Sequence, residues 1–244
     1  MPLTFSHPAI ILPAKYLPER WVSMTGLIIG SITPDFEYFI RLKEESVYSH
    51  TLAGMFWFDL PLALVLTFVY HYIVRNTFIC NSPAFLRKRL SPYRGFNWIN
   101  YFNKHFIVVF ICLLVGIASH IFWDDFTHPS GHFVKMIPLL RENLYILKFR
   151  IPNNRLLQAI STTIGGMVIF YAIMRMPEDV DICKQRNATD YWLILAGMGV
   201  VAVNVRMLEN IYDFDYQTIA LSTLSGFIAG SIVAPLLLAK KQAP

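Results

Sequence analysis

Charged residues nearly vanish from five stretches of this chain: Leu52–Val74, Phe106–Phe122, Leu156–Met174, Tyr191–Met207 and Ile219–Ala239. A bilayer core takes about 20 predominantly apolar residues in helical form, so each stretch reads as a membrane span. A sixth apolar stretch, Trp21–Thr33, covers only about 20 Å as a helix and suits a re-entrant segment better. The expected fold is an all-α, polytopic integral membrane helical bundle of five full spans plus an N-terminal re-entrant helical hairpin. In that hairpin His7–Tyr16 descends, Leu17–Arg20 turns and Trp21–Thr33 climbs back. The hairpin is required only if His7 belongs to the same site as Asp35. Residues 1–174 read as the part carrying candidate chemistry. Residues 175–244 read as a C-terminal two-helix membrane hairpin of the same structural unit.

Composition supports this reading, with 55% of the 244 residues hydrophobic and 15% charged. That is too apolar for an ordinary soluble domain. The start, Met1-Pro2-Leu3-Thr4-Phe5-Ser6-His7-Pro8, has no basic stretch and no small-residue cleavage site, so it is not read as a signal peptide. Cys80, Cys112 and Cys183 are scattered, which indicates neither a disulfide framework nor a thiolate metal site.

The formal charge of +5 matters less than its placement. The loop Arg75–His105 holds six bases and no acid. Cytoplasmic loops favour Lys and Arg, so this loop faces inward and meets anionic lipid rather than nucleic acid. Alternation then puts Trp123–Arg155 outside, despite its five bases. It puts Arg175–Asp190 inside, Leu208–Tyr216 (with Glu209, Asp213 and Asp215) outside, and Lys240-Lys241 inside. His50, just ahead of the first span, falls on the outer face with the end of the second.

The most informative segment is Ser119-His120-Ile121-Phe122-Trp123-Asp124-Asp125-Phe126-Thr127-His128. His120 and Asp124 are four apart and share a helix face, and His128 follows one turn on. Ionisable groups at the mouth of a hydrophobic helix are costly and mark a functional site. Imidazole and carboxylate together suit a zinc-type ion. Pro34 is placed to open a new helix, with Asp35 and Glu37 in or near its first turn, where carboxylates also serve as simple dipole partners. Asp59 is either a support for the site or a structural cap. His71 and His105 read as interfacial residues near the opposite face.

Phe5-Ser6-His7-Pro8-Ala9, Gly30-Ser31-Ile32-Thr33-Pro34-Asp35-Phe36, Ser49-His50-Thr51, Phe58-Asp59-Leu60-Pro61 and His120-x-x-Trp123-Asp124-x-Phe126-Thr127-His128-Pro129 resemble, in that order, a bacterial membrane family. It is catalogued as domain of unknown function 4184, and the resemblance runs to about Met174. Ala159 stands where the family pattern leads one to expect a His. More distantly, the order His, Pro-Asp, His, His-x-x-x-Asp is similar to inner-membrane metal-dependent hydrolases and to helical zinc phospholipases C and related nucleases. The resemblance implies a divalent metal, zinc, as one or two ions. Asp35, His50, His120 and Asp124 would hold one ion. His7, with Asp124 bridging, would hold a second, and His128 could complete either. Glu37 and Asp125, not needed as ligands, are then the candidates for general base.

The expectation is a metal-dependent hydrolase in the bacterial inner membrane, its C-terminus cytoplasmic and its site facing outward. Its substrate would be a phosphoester in a lipid or the envelope; membrane lipids are its expected partners and nucleic acid is not. The alternative is a non-catalytic membrane protein with a structural metal site or an ion-handling role. A conduit usually places ionisable groups near the midplane of several spans, whereas here the later spans are almost free of charge. Pro129-Ser130-Gly131-His132 matches one motif of phosphohistidine-forming lipid phosphatases, but the companion Arg-Pro and Ser-Arg motifs are missing. No nucleophile elbow or phosphate-cradling glycine loop is present.

Overall fold

The computed structural model describes residues 4–18, 20–146, 149–180, 183, 188–209 and 215–240. In chain order its elements are α1 (Pro8–Ile11), α2 (Met24–Ile32), α3 (Phe36–Arg41), α4 (Leu52–Asn81), α5 (Ala84–Leu90), α6 (Trp98–Thr127), α7 (His132–Met136), α8 (Pro138–Arg141), β1 (Asn143–Ile146), β2 (Phe149–Pro152), α9 (Asn153–Met174), α10 (Ala188–Glu209) and α11 (Tyr216–Lys240). Among the described residues, five helices are long and apolar enough to cross a membrane, beginning at Leu52, Trp98, Asn153, Ala188 and Tyr216. The chain is a multi-pass helical membrane protein. Asp213 and Lys241, which enter the orientation reading, lie outside the described residues.

The helices outlast the apolar runs. α4 continues past Val74 to Asn81, because nothing breaks it before Ser82, which Pro83 holds in extended backbone. Two wide turns interrupt α4, with Leu60 N–H bonded to Met55 O and Arg75 N–H to Tyr70 O. The first ends at the fully buried Asp59, two residues before Pro61, which has no N–H for the ordinary ladder. In α6, His105 has non-helical backbone angles (φ −130°, ψ 25°). The kink separates the polar turns from Trp98 onward from the apolar run at Phe106.

The chain divides into two compact units. The first comprises residues 1–35, 48–64 and 102–172. Here α1 leads into a 3-10 turn, Leu12–Tyr16, and the chain reverses to enter α2. Ser23 caps α2 by accepting from the Gly26 N–H at 3.2 Å. Ile11 and Leu27 from the two arms pack with Cys112 of α6. The open ends of the hairpin are tied by Thr4, whose hydroxyl donates to Asp35 Oδ2 at 2.5 Å. α2 meets α6 at glycines: a Cβ on Gly30 would collide with the Leu113 backbone, and one on Gly116 with the Leu27 carbonyl. Small residues of this kind let membrane helices approach backbone to backbone.

Beyond α6 the otherwise helical chain forms two short strands. β1 and β2 form an antiparallel hairpin with Leu144 opposite Ile151 and Tyr145 opposite Arg150. These segments are rich in β-branched and aromatic residues. Asn154 then donates to the Thr127 carbonyl at 3.0 Å, fixing the start of α9 to the end of α6.

The second unit comprises residues 36–47, 65–101 and 173–244. Its α10 and α11 pack antiparallel, Tyr191 and Leu195 against Ala234 and Leu238. Gly226 lies so close to the Met198 carbonyl that no Cβ fits there. Cys80, in the last turn of α4, is disulfide-bonded to Cys183. This corrects the expectation of no disulfide: the two cysteines are 103 residues apart, and no spacing rule links them. Nearby, Trp192 Nε1–H donates to the Asn81 carbonyl at 2.9 Å.

Candidate metal centre

Six of the predicted residues meet in the first unit. His120, Asp124 and His128 occupy one stripe of α6, as their spacing of four requires. Asp35 ends the 3-10 turn that follows α2. His50 comes from the loop before α4 and His7 from the residue before α1. Tyr48 packs against Trp57 and Phe58 and so anchors the loop carrying His50. Gly54 is needed there too, because a Cβ would overlap the Tyr48 carbonyl. His50 itself has φ +59°, left-handed backbone that costs a side-chain-bearing residue energy.

The facing atoms are all nitrogens and carboxylate oxygens. Asp35 Oδ1 lies 3.4 Å from His120 Nε2 and 3.6 Å from His50 Nε2. Asp124 Oδ2 lies 3.5 Å from His120 Nε2, 3.5 Å from His50 Nε2 and 3.3 Å from His128 Nε2. Asp124 Oδ1 faces His7 Nε2 at 3.5 Å. One ligand atom from each of Asp35, His50, His120 and Asp124 falls within 4.8 Å of every other. Those separations are longer than an ordinary charged hydrogen bond, about 2.7–2.9 Å. They match the edge of a tetrahedron around zinc: ligands at about 2.0–2.2 Å stand about 3.3–3.6 Å apart. Asp35 Oδ1, both Asp124 oxygens and Nε2 of His7, His120 and His128 are buried and make no hydrogen bond among the described residues. Buried polar atoms rarely go unsatisfied, and the donor set fits a divalent cation of zinc type.

Surrounding groups orient these ligands. Pro34 helps end α2, and the last carbonyls of a helix lack intrahelical partners. Ser31 O accepts from His120 Nδ1–H at 2.7 Å, which turns His120 Nε2 inward. Ser49 Oγ sits 2.9 Å from His50 Nδ1. Thr4 occupies Asp35 Oδ2 and leaves Oδ1 to the centre. The rings of His7 and His120 stack at 3.9 Å.

The charge balance is set by burial against these neighbours. Burial, reinforced by His120, takes the His7 imidazole down to about 4 against the pull of Asp124 and Asp35. Burial alone would raise the Asp35 carboxyl, but the facing His120 and His50 hold it well below the usual range. For His50 burial works downward, and the carboxylates of Asp124 and Asp35 outweigh it, so its pKa is raised.

Other expected residues are engaged elsewhere. Asp125 Oδ1 accepts from the His132 N–H at 2.6 Å, and Gly131 lies against the Asp125 backbone. Pro129-Ser130-Gly131-His132 is thus a turn tied back to Asp125. Glu37 accepts from Arg41 Nε at 2.8 Å, from the Val47 N–H at 3.0 Å and from Ser46 Oγ at 3.5 Å. Ala159 is exposed on α9, so position 159 does not contribute to the buried group. Thr4, Ser49 and the Ser31 carbonyl escaped sequence reasoning, since hydroxyls and backbone groups carry no spacing signal.

A family model described as a domain of unknown function, DUF4184, matches residues 1–239 of the chain. No curated protein and no solved structure matches it.

Proposed function

The chain belongs to the DUF4184 family, and from that premise we propose that it is a membrane-bound, metal-dependent hydrolase of phosphoester bonds. The observation that carries this reading is the set of nitrogen–oxygen separations of 3.3–3.6 Å among His7, Asp35, His50, His120, Asp124 and His128. Asp35, His50, His120 and Asp124 would hold one divalent ion. The second Asp124 oxygen, with His7, offers a place for another. A zinc-type ion supplies Lewis acidity toward a phosphoryl oxygen and water activation near neutral pH.

Access favours catalysis over a closed structural site. His120 and Asp35 are fully buried, but the side chains of His50 and His128 keep 16% and 20% of their exposure. Substrate and water would enter on that side. Asp125 and Glu37 are the sequence candidates for general base, yet Asp125 Oδ1 and both Glu37 oxygens already accept local hydrogen bonds. His128, partly exposed with Nε2 directed at Asp124, is better placed to take a proton from an attacking water. The basic loop Arg75–His105 supports an orientation with that loop inside, the site outward and the C-terminus cytoplasmic. A phosphoester of a lipid or envelope component is the matching substrate class.

The test is direct. Full-length protein purified in detergent should carry zinc or accept manganese, and should cleave a phosphodiester or phospholipid reporter in a chelator-sensitive way. His120→Ala should lose both the ion and the activity. An occupied but inert protein across such a panel would favour a structural ion.

A further inference from the structure

The second unit contains a cavity of about 440 Å³ lined by His71, Arg75, Arg94, Phe96 and Trp98, among others. Arg75 lies on α4 and is only 6% exposed. Its guanidinium donates to His71 Nδ1, Phe96 O and Arg94 O, each at 2.9 Å, and to Asn76 Oδ1 at 3.3 Å. Every one of these acceptors is neutral, so among the described residues no carboxylate is hydrogen-bonded to this buried cation. A charge removed from water in this way is costly unless something compensates it. Arg94 adds a second cation, and its buried Nε makes no hydrogen bond among the described residues. Three other bases of the stretch 75–105 differ: Lys88 and Arg89 pair with Glu178, and Arg87 bonds the Ser82 carbonyl.

The walls are aromatic. Trp98 is 1% exposed and stacks on His71 at 4.5 Å. Tyr72 also borders the cavity and is itself 60% exposed. Buried Arg beside Trp and Tyr at the end of a membrane helix is an arrangement suited to a lipid headgroup. The Arg fork matches phosphate oxygens better than it matches a halide or a neutral headgroup.

We propose that the Arg75–Arg94 cavity binds a phosphate group whose charge no headgroup ammonium offsets, carried by an anionic phospholipid or free in solution. Arg75 supplies fixed charge and holds the carbonyls of Arg94 and Phe96 in place, while Arg94 supplies the adjustable contact. The reading is independent of the hydrolase assignment.

The test uses the full-length protein in a neutral detergent and a fluorescent phosphatidylglycerol as probe. Unlabelled phosphatidylglycerol, phosphatidylcholine and inorganic phosphate serve as competitors. Phosphatidylglycerol should bind saturably, with Arg94→Gln weakening it about tenfold and Arg94→Lys restoring most of the loss. Competition by inorganic phosphate as strong as by the lipid assigns the site to free phosphate; competition by phosphatidylglycerol alone assigns it to a headgroup. Equal competition by phosphatidylcholine, or undiminished binding to folded Arg94→Gln, overturns the proposal. If Arg94→Gln does not fold, wild-type thermal unfolding decides. A rise in midpoint with phosphatidylglycerol or phosphate but not with phosphatidylcholine supports the site, and no rise overturns it.

Discussion

His120 gives its Nδ1 hydrogen to the carbonyl of Ser31 at 2.7 Å, across 89 residues of sequence. A carbonyl can only accept, so the neutral ring keeps its Nε2 lone pair for a cation held beside Asp35 and Asp124. One backbone atom of α2 thereby sets both the orientation and the tautomer of a residue on α6.

Supports of this kind are worth about 10–100-fold in metal affinity. Thr4→Val removes the hydroxyl on Asp35 Oδ2 while keeping the side-chain shape. Zinc affinity in a competitive chelator titration should fall within that range, with the helical circular dichroism unchanged. A Thr4→Val protein that holds zinc as tightly as wild type would remove Thr4 from the centre.

Proton competition should have a particular sign. His50 is raised above the ordinary imidazole value near 6.5, so it must surrender a proton to take an ion. His7, held down at about 4, does not compete above pH 5. Zinc retention against a fixed chelator should therefore begin to fall above pH 6.5 as the solution is acidified. The chelated protein should show the opposite trend in this contribution. Protonated His50 stabilises the fold fully below about pH 6.5, and that stability is lost as pH rises through its raised value. Melting curves with and without zinc between pH 6 and 9 would read both trends.

The α2–α6 contact should be intolerant of a single methyl group. Gly30→Ala and Gly116→Ala each drive a Cβ into opposing backbone, and overpacking costs about 1–3 kcal/mol. Both should lower the melting temperature and loosen zinc. Gly95→Ala and Gly197→Ala, which meet open space, serve as controls and should do neither.

Cys80 and Cys183 offer a check on orientation that uses no reporter fusion. Their bond joins segments that the basic loop assigns to the cytoplasm, where thiols are kept reduced. With that orientation, cells quenched with a thiol-alkylating reagent should yield protein alkylated at both cysteines, and the bond should form on oxidation after lysis. A bond already present in quenched cells would reverse the orientation and place this face in an oxidising compartment.

The spans were legible because membrane helices announce themselves by length and apolarity. The stripe His120, Asp124, His128 was legible because 3.6-residue periodicity carries side chains four apart to one face. Asp35 and His50 needed more, since only the topology and the family resemblance placed them beside α6. What escaped depends on backbone detail. The Ser31 carbonyl exists as an acceptor only because a helix stops there. Asp125 and Glu37 looked spare as carboxylates, yet the His132 and Val47 N–H groups occupy them. The wide turns of α4 and the paired strands Asn143–Ile146 and Phe149–Pro152 left no pattern strong enough to read.

The left-handed backbone of His50 changes how a mutational series at the centre must be designed. Alanine there would delete the imidazole and keep the β-carbon, so the cost of that conformation, roughly 1–2 kcal/mol, is common to His50 and its alanine variant. Loss of function in His50→Ala therefore reports the missing ligand. Glycine accepts φ near +59° without that cost, so His50→Gly deletes the ligand and relaxes the loop together, and its difference from alanine measures the loop.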